Sequence, residues 1–180
     1  MLLDTYFYHL PRAIPAHECE EIIEYGKSLN PTEGRTAASD SMLSSEEKQE
    51  HTQKIRNSKT AFIKDTWLIK DLYSIVEYAN KSWNFNLKYN EDVQFTEYEA
   101  RGHYGWHNDS IKNPLNDKTV MRKLSTVVQL SPPENYVGGD LKFNMRGLDS
   151  HAEDTIMSPP PEFKQQGSVV IFPSFLWHKV

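Results

Sequence analysis

The feature that most constrains this chain is a change of periodicity near residue 90. Before it, apolar residues recur at helical spacing. After it, short runs rich in Val, Phe, Tyr, Thr and Ile follow one another: Val93–Tyr98, Thr119–Leu130, Asp140–Phe143 and Gly167–Phe172. Turn signals separate them, at Gly102, Asn113-Pro114, Ser131-Pro132-Pro133 and Gly138-Gly139. Helices first and strands after predict an α+β, β-rich fold: a twisted sheet or jelly roll backed by N-terminal helices.

The helical part has two stretches. Pro15 sits where a helix start tolerates it, Glu18, Glu20 and Glu21 lie near the positive end of the dipole, and Asn30-Pro31 is a stop. With Cys19, Ile22, Ile23 and Leu29 on one stripe, this predicts a helix near 16–29. A second is predicted near 65–83, its stripe formed by Leu68, Leu72, Ile75, Val76, Ala79 and Trp83. A short strand is expected over Thr5–Leu10. The polar stretch Thr32–Ser58 reads as a long loop with a helical turn at Ser44–Glu50, either a surface segment or a lid. At 180 residues one domain is expected, with helical support over about 1–90 and a β core over about 91–180.

Composition excludes several classes. Lys and Arg total 20 against 25 Asp and Glu, a net charge of −5, so no nucleic-acid partner is expected. Cys19 is the only cysteine, which rules out an intrachain disulfide and a thiolate zinc cluster. The N-terminus lacks a signal-peptide pattern and no apolar run approaches membrane-spanning length, so a cytoplasmic setting without membrane contact is the default.

The chemistry-bearing tract is Trp106-His107-Asn108-Asp109. Two residues apart on an extended strand, His107 and Asp109 leave the same face and place an imidazole and a carboxylate in one coordination sphere. A second histidine from a distant strand would complete a 2-His-1-carboxylate set with open positions. His178, after Ser168–Phe172 and the turn at Pro173-Ser174, is the candidate. His9, His17, His51 and His151 read as solvated, and His103 as a loop or rim residue. Trp106, Trp177, Phe172 and Phe175 read as core, Gly138-Gly139 as a tight turn, and Ser158–Pro161 as a stiff loop.

Several motifs occur together in order: Phe95-Thr96-Glu97-Tyr98, then Gly102 and Tyr104, Trp106–Asp109, Arg122–Ser125, Gly138–Phe143 and Gly167–His178, with Ile55–Lys59 upstream. In this set the chain resembles the 2-oxoglutarate/Fe(II) dioxygenases, specifically the prolyl-4-hydroxylase-like (PKHD-type) hydroxylases of bacteria and phages. The resemblance implies a double-stranded β-helix with His107, Asp109 and His178 as iron ligands, and no catalytic side chain beyond them. It implies Fe(II) and the cosubstrate 2-oxoglutarate, with ascorbate as a further candidate cofactor. Dioxygen would be consumed, and the substrate would be a peptidyl prolyl or similar aliphatic C–H in a peptide, protein or small molecule.

By the same resemblance Tyr98 would hydrogen-bond the cosubstrate; as a plain sequence feature it is equally an ordinary strand aromatic. The basic residue that meets the distal carboxylate in the family has no counterpart before Val180. The chain is therefore expected to be truncated at its C-terminal end and to bind 2-oxoglutarate weakly. Arg122 is the candidate substitute, against its reading as a rim charge, while Lys179 should point away from the metal. Two other readings stay open: a cupin-like metal enzyme that does not use 2-oxoglutarate, and a non-catalytic jelly-roll binding module. The oligomeric state is not fixed by any of these features.

Overall fold

The computed structural model describes residues 5–36, 52–64, 66–110, 121–145 and 156–180. Among these the chain is β-rich with two long helices, α1 (Ala16–Ser28) and α2 (Thr66–Asn80). The strands are β1 (Tyr8–Leu10), β2 (Thr32–Glu33), β3 (Arg56–Asn57), β4 (Lys59–Ile63), β5 (Val93–Glu97) and β6 (His103–Tyr104). They continue with β7 (Leu124–Val128), β8 (Lys142–Asn144), β9 (Ile156–Met157), β10 (Val169–Pro173) and β11 (Trp177–Lys179).

All pairings are antiparallel. They run β1-β10-β7, β11-β8-β9, β2-β4-β5 and β3-β6. In addition, Tyr104 of β6 and Val180 exchange both backbone hydrogen bonds, as do His107 and His178. The 104–107 stretch therefore lies alongside β11.

The position of β10 organises the interior, because all five of its residues are buried. Val169 and Ile171 join one apolar cluster with Cys19 and Ile22 of α1, Leu68, Leu72, Val76 and Ala79 of α2, Ile63 and Phe95. Val170 and Phe172 join a second with Leu141, Phe143, Phe163 and Leu176. Alternation along the strand sends odd residues toward the helices and even ones into the second cluster. This explains the unbroken apolar run Val169-Val170-Ile171-Phe172: a strand covered on both faces has no polar side to show.

Helix α1 starts after Pro15, whose missing N–H lies where a helix has no internal partner for it anyway. It ends just before Asn30, which takes φ +54 and donates its N–H to the Lys27 carbonyl. In α2 the stripe at 68, 72, 76 and 79 faces the core, with Ile75 and Trp83 partly buried against it. The Trp83 indole N–H is held by the Thr5 carbonyl at 2.8 Å. Both helices lie within a few residues of the sequence expectation.

Three expectations need correction. Thr32–Ser58 is not one loop: β2, a helical turn at 52–55 and β3 fall inside it. Those strands are two residues long, too short for alternation to register, and are held by pairing to β4 and β6. The turn expected at Ser44–Glu50 lies outside the described residues. His9 is not solvated, because β1 seats its ring on Phe163 with centroids 4.6 Å apart. Phe175 is not core; it is 40% exposed in the turn between β10 and β11. His17 is exposed, whereas His51 and His151 lie outside the described residues. Gly138 and Gly139 have φ +83 and +67, which only a glycine turn takes without strain. No described helix is long and apolar enough to cross a membrane.

Candidate metal centre

The reciprocal hydrogen bonds His107 N–H to His178 carbonyl (3.0 Å) and His178 N–H to His107 carbonyl (2.9 Å) make the two histidines a directly opposed antiparallel pair. Opposed residues share a face, so both imidazoles leave the sheet on the same side. Two residues on, Asp109 emerges on that side, and its backbone N–H is fixed by the Ser174 carbonyl at 2.8 Å. One ligand-type atom from each of the three lies within 4.8 Å of the others. His107 Nε2 is 3.8 Å from Asp109 Oδ1, and His178 Nε2 is 3.6 Å from Asp109 Oδ2.

The other ring nitrogens show what the cluster is built to hold. His107 Nδ1 is 2.8 Å from the Gly105 carbonyl, and His178 Nδ1 is 2.9 Å from the Leu176 carbonyl. A carbonyl can only accept, so each Nδ1 carries a proton, and in the neutral ring each Nε2 presents a lone pair. Two imidazole lone pairs and a carboxylate then face one another with no proton between them. That arrangement is repulsive until a cation enters, and it suits a divalent metal with nitrogen and oxygen preference. Burial pushes the His107 pKa down to about 4, reinforced by His178 and opposed by the Gly105 carbonyl and Asp109. Facial ligands at bonds of about 2.1 Å sit roughly 3 Å apart, so modest side-chain movement closes the set around an ion.

The walls differ from side to side. His178 is only 6% exposed at its side chain and packs edge-on to Phe172, centroids 4.8 Å apart, with Phe143 behind. Asp109 is 27% exposed, so the centre opens on its carboxylate side. His107 is clamped by Tyr104, whose ring stacks on it at 3.6 Å and 13°. Arg56 covers the far face of that assembly, with Cζ 4.5 Å from the Tyr104 ring centroid. The buried guanidinium donates to Ser58 Oγ and the Arg35 carbonyl. Burial raises the Tyr98 and Tyr104 hydroxyl pKa values, with the Arg56 charge working in the opposite direction.

The remaining expected residues fall as follows. Tyr98 lies just past β5, 38% exposed and close enough to Arg56 and Tyr104 to feel their charge. Arg122 donates from Nε and a terminal nitrogen to the two Glu91 carboxylate oxygens at 2.6 and 2.7 Å. Lys179 lies over the Trp106 ring, Nζ 4.9 Å from its centroid. The two ring nitrogens of His103 lie 3.2 and 3.1 Å from the Arg101 and Lys54 carbonyls, and only one of them donates in the neutral ring. Sequence reasoning passed over Ser125 and Ser174: Ser125 Oγ donates to Asp109 Oδ2 at 2.6 Å and lies 2.9 Å from Ser174 Oγ. Nothing in the sequence marked them, because it is the folded register that sets Ser125 opposite Phe172.

Comparison with known proteins follows this geometry. Residues 93–180 match the 2OG-Fe(II) oxygenase superfamily. A PKHD-type hydroxylase of Hyphomonas neptunium is 34% identical over 93 residues, covering 47% of this chain and 41% of that protein. One from Janthinobacterium sp. is 32% identical over 88 residues, covering 48% of this chain and 34% of its own. The matches thus span less than half of each curated relative. Among solved structures, a Pseudomonas putida prolyl-4-hydroxylase superposes with TM-score 0.67 at 16% identity, over 98% of this chain and 85% of that one. A prolyl hydroxylase from Trichoplax adhaerens, in complex with a peptide fragment of the hypoxia inducible factor oxygen degradation domain, gives TM-score 0.66 at 18% identity, over 98% and 77%. At such identity these likenesses speak for a shared fold. The sequence match falls on the stretch that carries the metal-type cluster, and over residues 93–180 the chain is similar to the 2OG-Fe(II) oxygenase superfamily.

Proposed function

We propose that this chain is an Fe(II)- and 2-oxoglutarate-dependent dioxygenase that hydroxylates a peptidyl prolyl or similar aliphatic C–H. The observation that carries it is the cluster of His107 Nε2, His178 Nε2 and the Asp109 carboxylate, with both tautomers set by backbone carbonyls. The likeness of residues 93–180 to the 2OG-Fe(II) oxygenase superfamily supports Fe(II) and 2-oxoglutarate as the groups bound. When bound, they supply the oxidising chemistry: dioxygen is consumed, 2-oxoglutarate loses CO2 to become succinate, and one oxygen atom enters the substrate C–H. The names of the PKHD-type and prolyl hydroxylase relatives support the substrate class.

In this reading His107, Asp109 and His178 hold the metal. Phe172 and Phe143 keep water from the His178 side, and substrate approaches from the Asp109 side. Tyr104 and Arg56 hold the His107 ring in place. Tyr98 remains the candidate partner for the cosubstrate. Arg122 already gives two N–H groups to Glu91, so its first role is that ion pair. The fold in the same reading is one domain, a double-stranded β-helix from about residue 91 onward. The shared cluster of α1, α2 and the odd-numbered face of β10 supports helical backing.

The test is anaerobic titration with Fe(II) and 2-oxoglutarate, watching for the visible metal-to-ligand charge-transfer band. The band is expected in the native chain and absent from His178→Ala and Asp109→Ala. Its persistence in both variants would sink the assignment. The engagement of Arg122 by Glu91 favours a second reading, a metal enzyme that does not use 2-oxoglutarate. Fe(II) binding with no band on adding 2-oxoglutarate would select it.

A further inference from the structure

We propose that Ser174 and Ser125 form a hydroxyl relay that positions the Asp109 carboxylate for the metal, an inference that rests on the metal reading above. The direction of the relay follows from the atoms. An ionised carboxylate only accepts, and Ser125 Oγ is 2.6 Å from Asp109 Oδ2, so the single Ser125 proton points there. Ser125 Oγ must therefore accept at its 2.9 Å contact with Ser174 Oγ, and Ser174 is the donor. Each hydroxyl polarises the next, and the chain ends on a charge, where such bonds are strongest.

The relay is built into the fold at both ends. Ser174 is fully buried, donates its N–H to the Lys123 carbonyl at 2.9 Å and receives the Asp109 N–H on its own carbonyl at 2.8 Å. One residue thus ties Asp109 through the main chain and, by way of Ser125, through the side chain. Ser125 sits opposite Phe172 in a register whose next inward pair is Val127 with Val170. These neighbours are apolar, and a hydroxyl placed among them costs stability unless it is used. Its use is to stop rotation of the carboxylate. With Oδ2 held by Ser125, Oδ1 is, among the described residues, the oxygen left with both lone pairs, on the side of His107.

Losing such an outer partner of a metal ligand costs about 10- to 100-fold in metal affinity. The experiment measures Co(II) binding to the full chain by equilibrium dialysis and by its visible ligand-field spectrum. The variants are Ser125→Ala, Ser125→Thr, Ser174→Ala and Asp109→Ala, each checked by thermal unfolding in chelator. Ser125→Ala should lose about 10- to 100-fold in affinity with a changed spectrum. Ser125→Thr, which restores the hydroxyl, should recover most of the loss. Ser174→Ala should show a smaller loss. Native affinity and spectrum in Ser125→Ala overturn the relay. Should that variant fail to fold, native affinity in Ser174→Ala does the same. Failure of the metal reading looks different: either the native chain does not bind Co(II), or Asp109→Ala binds it unchanged, and the relay falls with it.

Discussion

His9 lies on β1 with its ring against Phe163, and its Nε2 is buried with no hydrogen-bond partner among the described residues. Burial lowers its pKa, only partly offset by Glu162. The unfolded chain therefore takes up this proton first as pH falls below about 6.5. The native state then loses stability as pH drops through that value toward the lower folded pKa. The lowered pKa of His107 acts in the same direction in the metal-free protein. Urea unfolding at pH 7.5 and pH 5 should show a drop in midpoint that is smaller in His9→Leu; an identical drop in both would clear His9 of the effect. Sequence offered no warning here, because a histidine between Tyr8 and Leu10 reads as polar and solvated. Its burial is decided by Phe163, more than 150 residues away. The proposed ligands were legible for the converse reason. The spacing of His107 and Asp109 has geometric meaning on any strand, but the tautomers and the serine relay depend on carbonyls and hydroxyls that only the folded register brings near.

The elements that were readable are those that bury a face. The α2 stripe and the doubly buried run of β10 follow from periodicity, whereas β2, β3, β6 and β9 have two residues each and exist because a partner strand pairs with them. Contact between elements sets two expectations. Gly26, buried on α1, faces the Phe95 ring of β5 so closely that an added Cβ would overlap the root of the ring. Alanine raises helix propensity by up to about 1 kcal/mol, but overpacking costs about 1–3 kcal/mol. Gly26→Ala should therefore lower unfolding free energy by about 1–2 kcal/mol, and a stabilised variant would show that the helix can move off the sheet. Phe143, fully buried on β8, packs edge-on against Phe172 and is the cross-strand partner of His178. Phe143→Ala should cost about 3–5 kcal/mol in chemical denaturation. It should also weaken Co(II) binding, since the cavity opens beside a ligand; full affinity in a destabilised variant would mean β11 holds His178 by backbone pairing alone.

At the scale of the molecule, the proposed metal centre joins segments that are distant in sequence. His107 and Asp109 come from the stretch after β6, and His178 from β11 at the far end of the described chain. The unfolded chain has no reason to bring them together, so an ion bound by all three binds the native state almost exclusively. Its binding free energy then appears as added stability. With free metal at 100-fold over its dissociation constant, the gain is about 2.7 kcal/mol. The gain should be read in urea with Mn(II) in place of Fe(II), which avoids oxidation during the measurement, against the same titration in chelator. It should scale with the logarithm of Mn(II) concentration once the site is saturated, because each tenfold increase adds about 1.4 kcal/mol. Asp109→Ala and His178→Ala should lose most of the dependence, while His17→Ala, at an exposed histidine outside the cluster, should keep all of it. An equal shift in native protein and in both ligand variants would mean that Mn(II) acts at scattered surface carboxylates. The three residues would then be neighbours without being a metal centre.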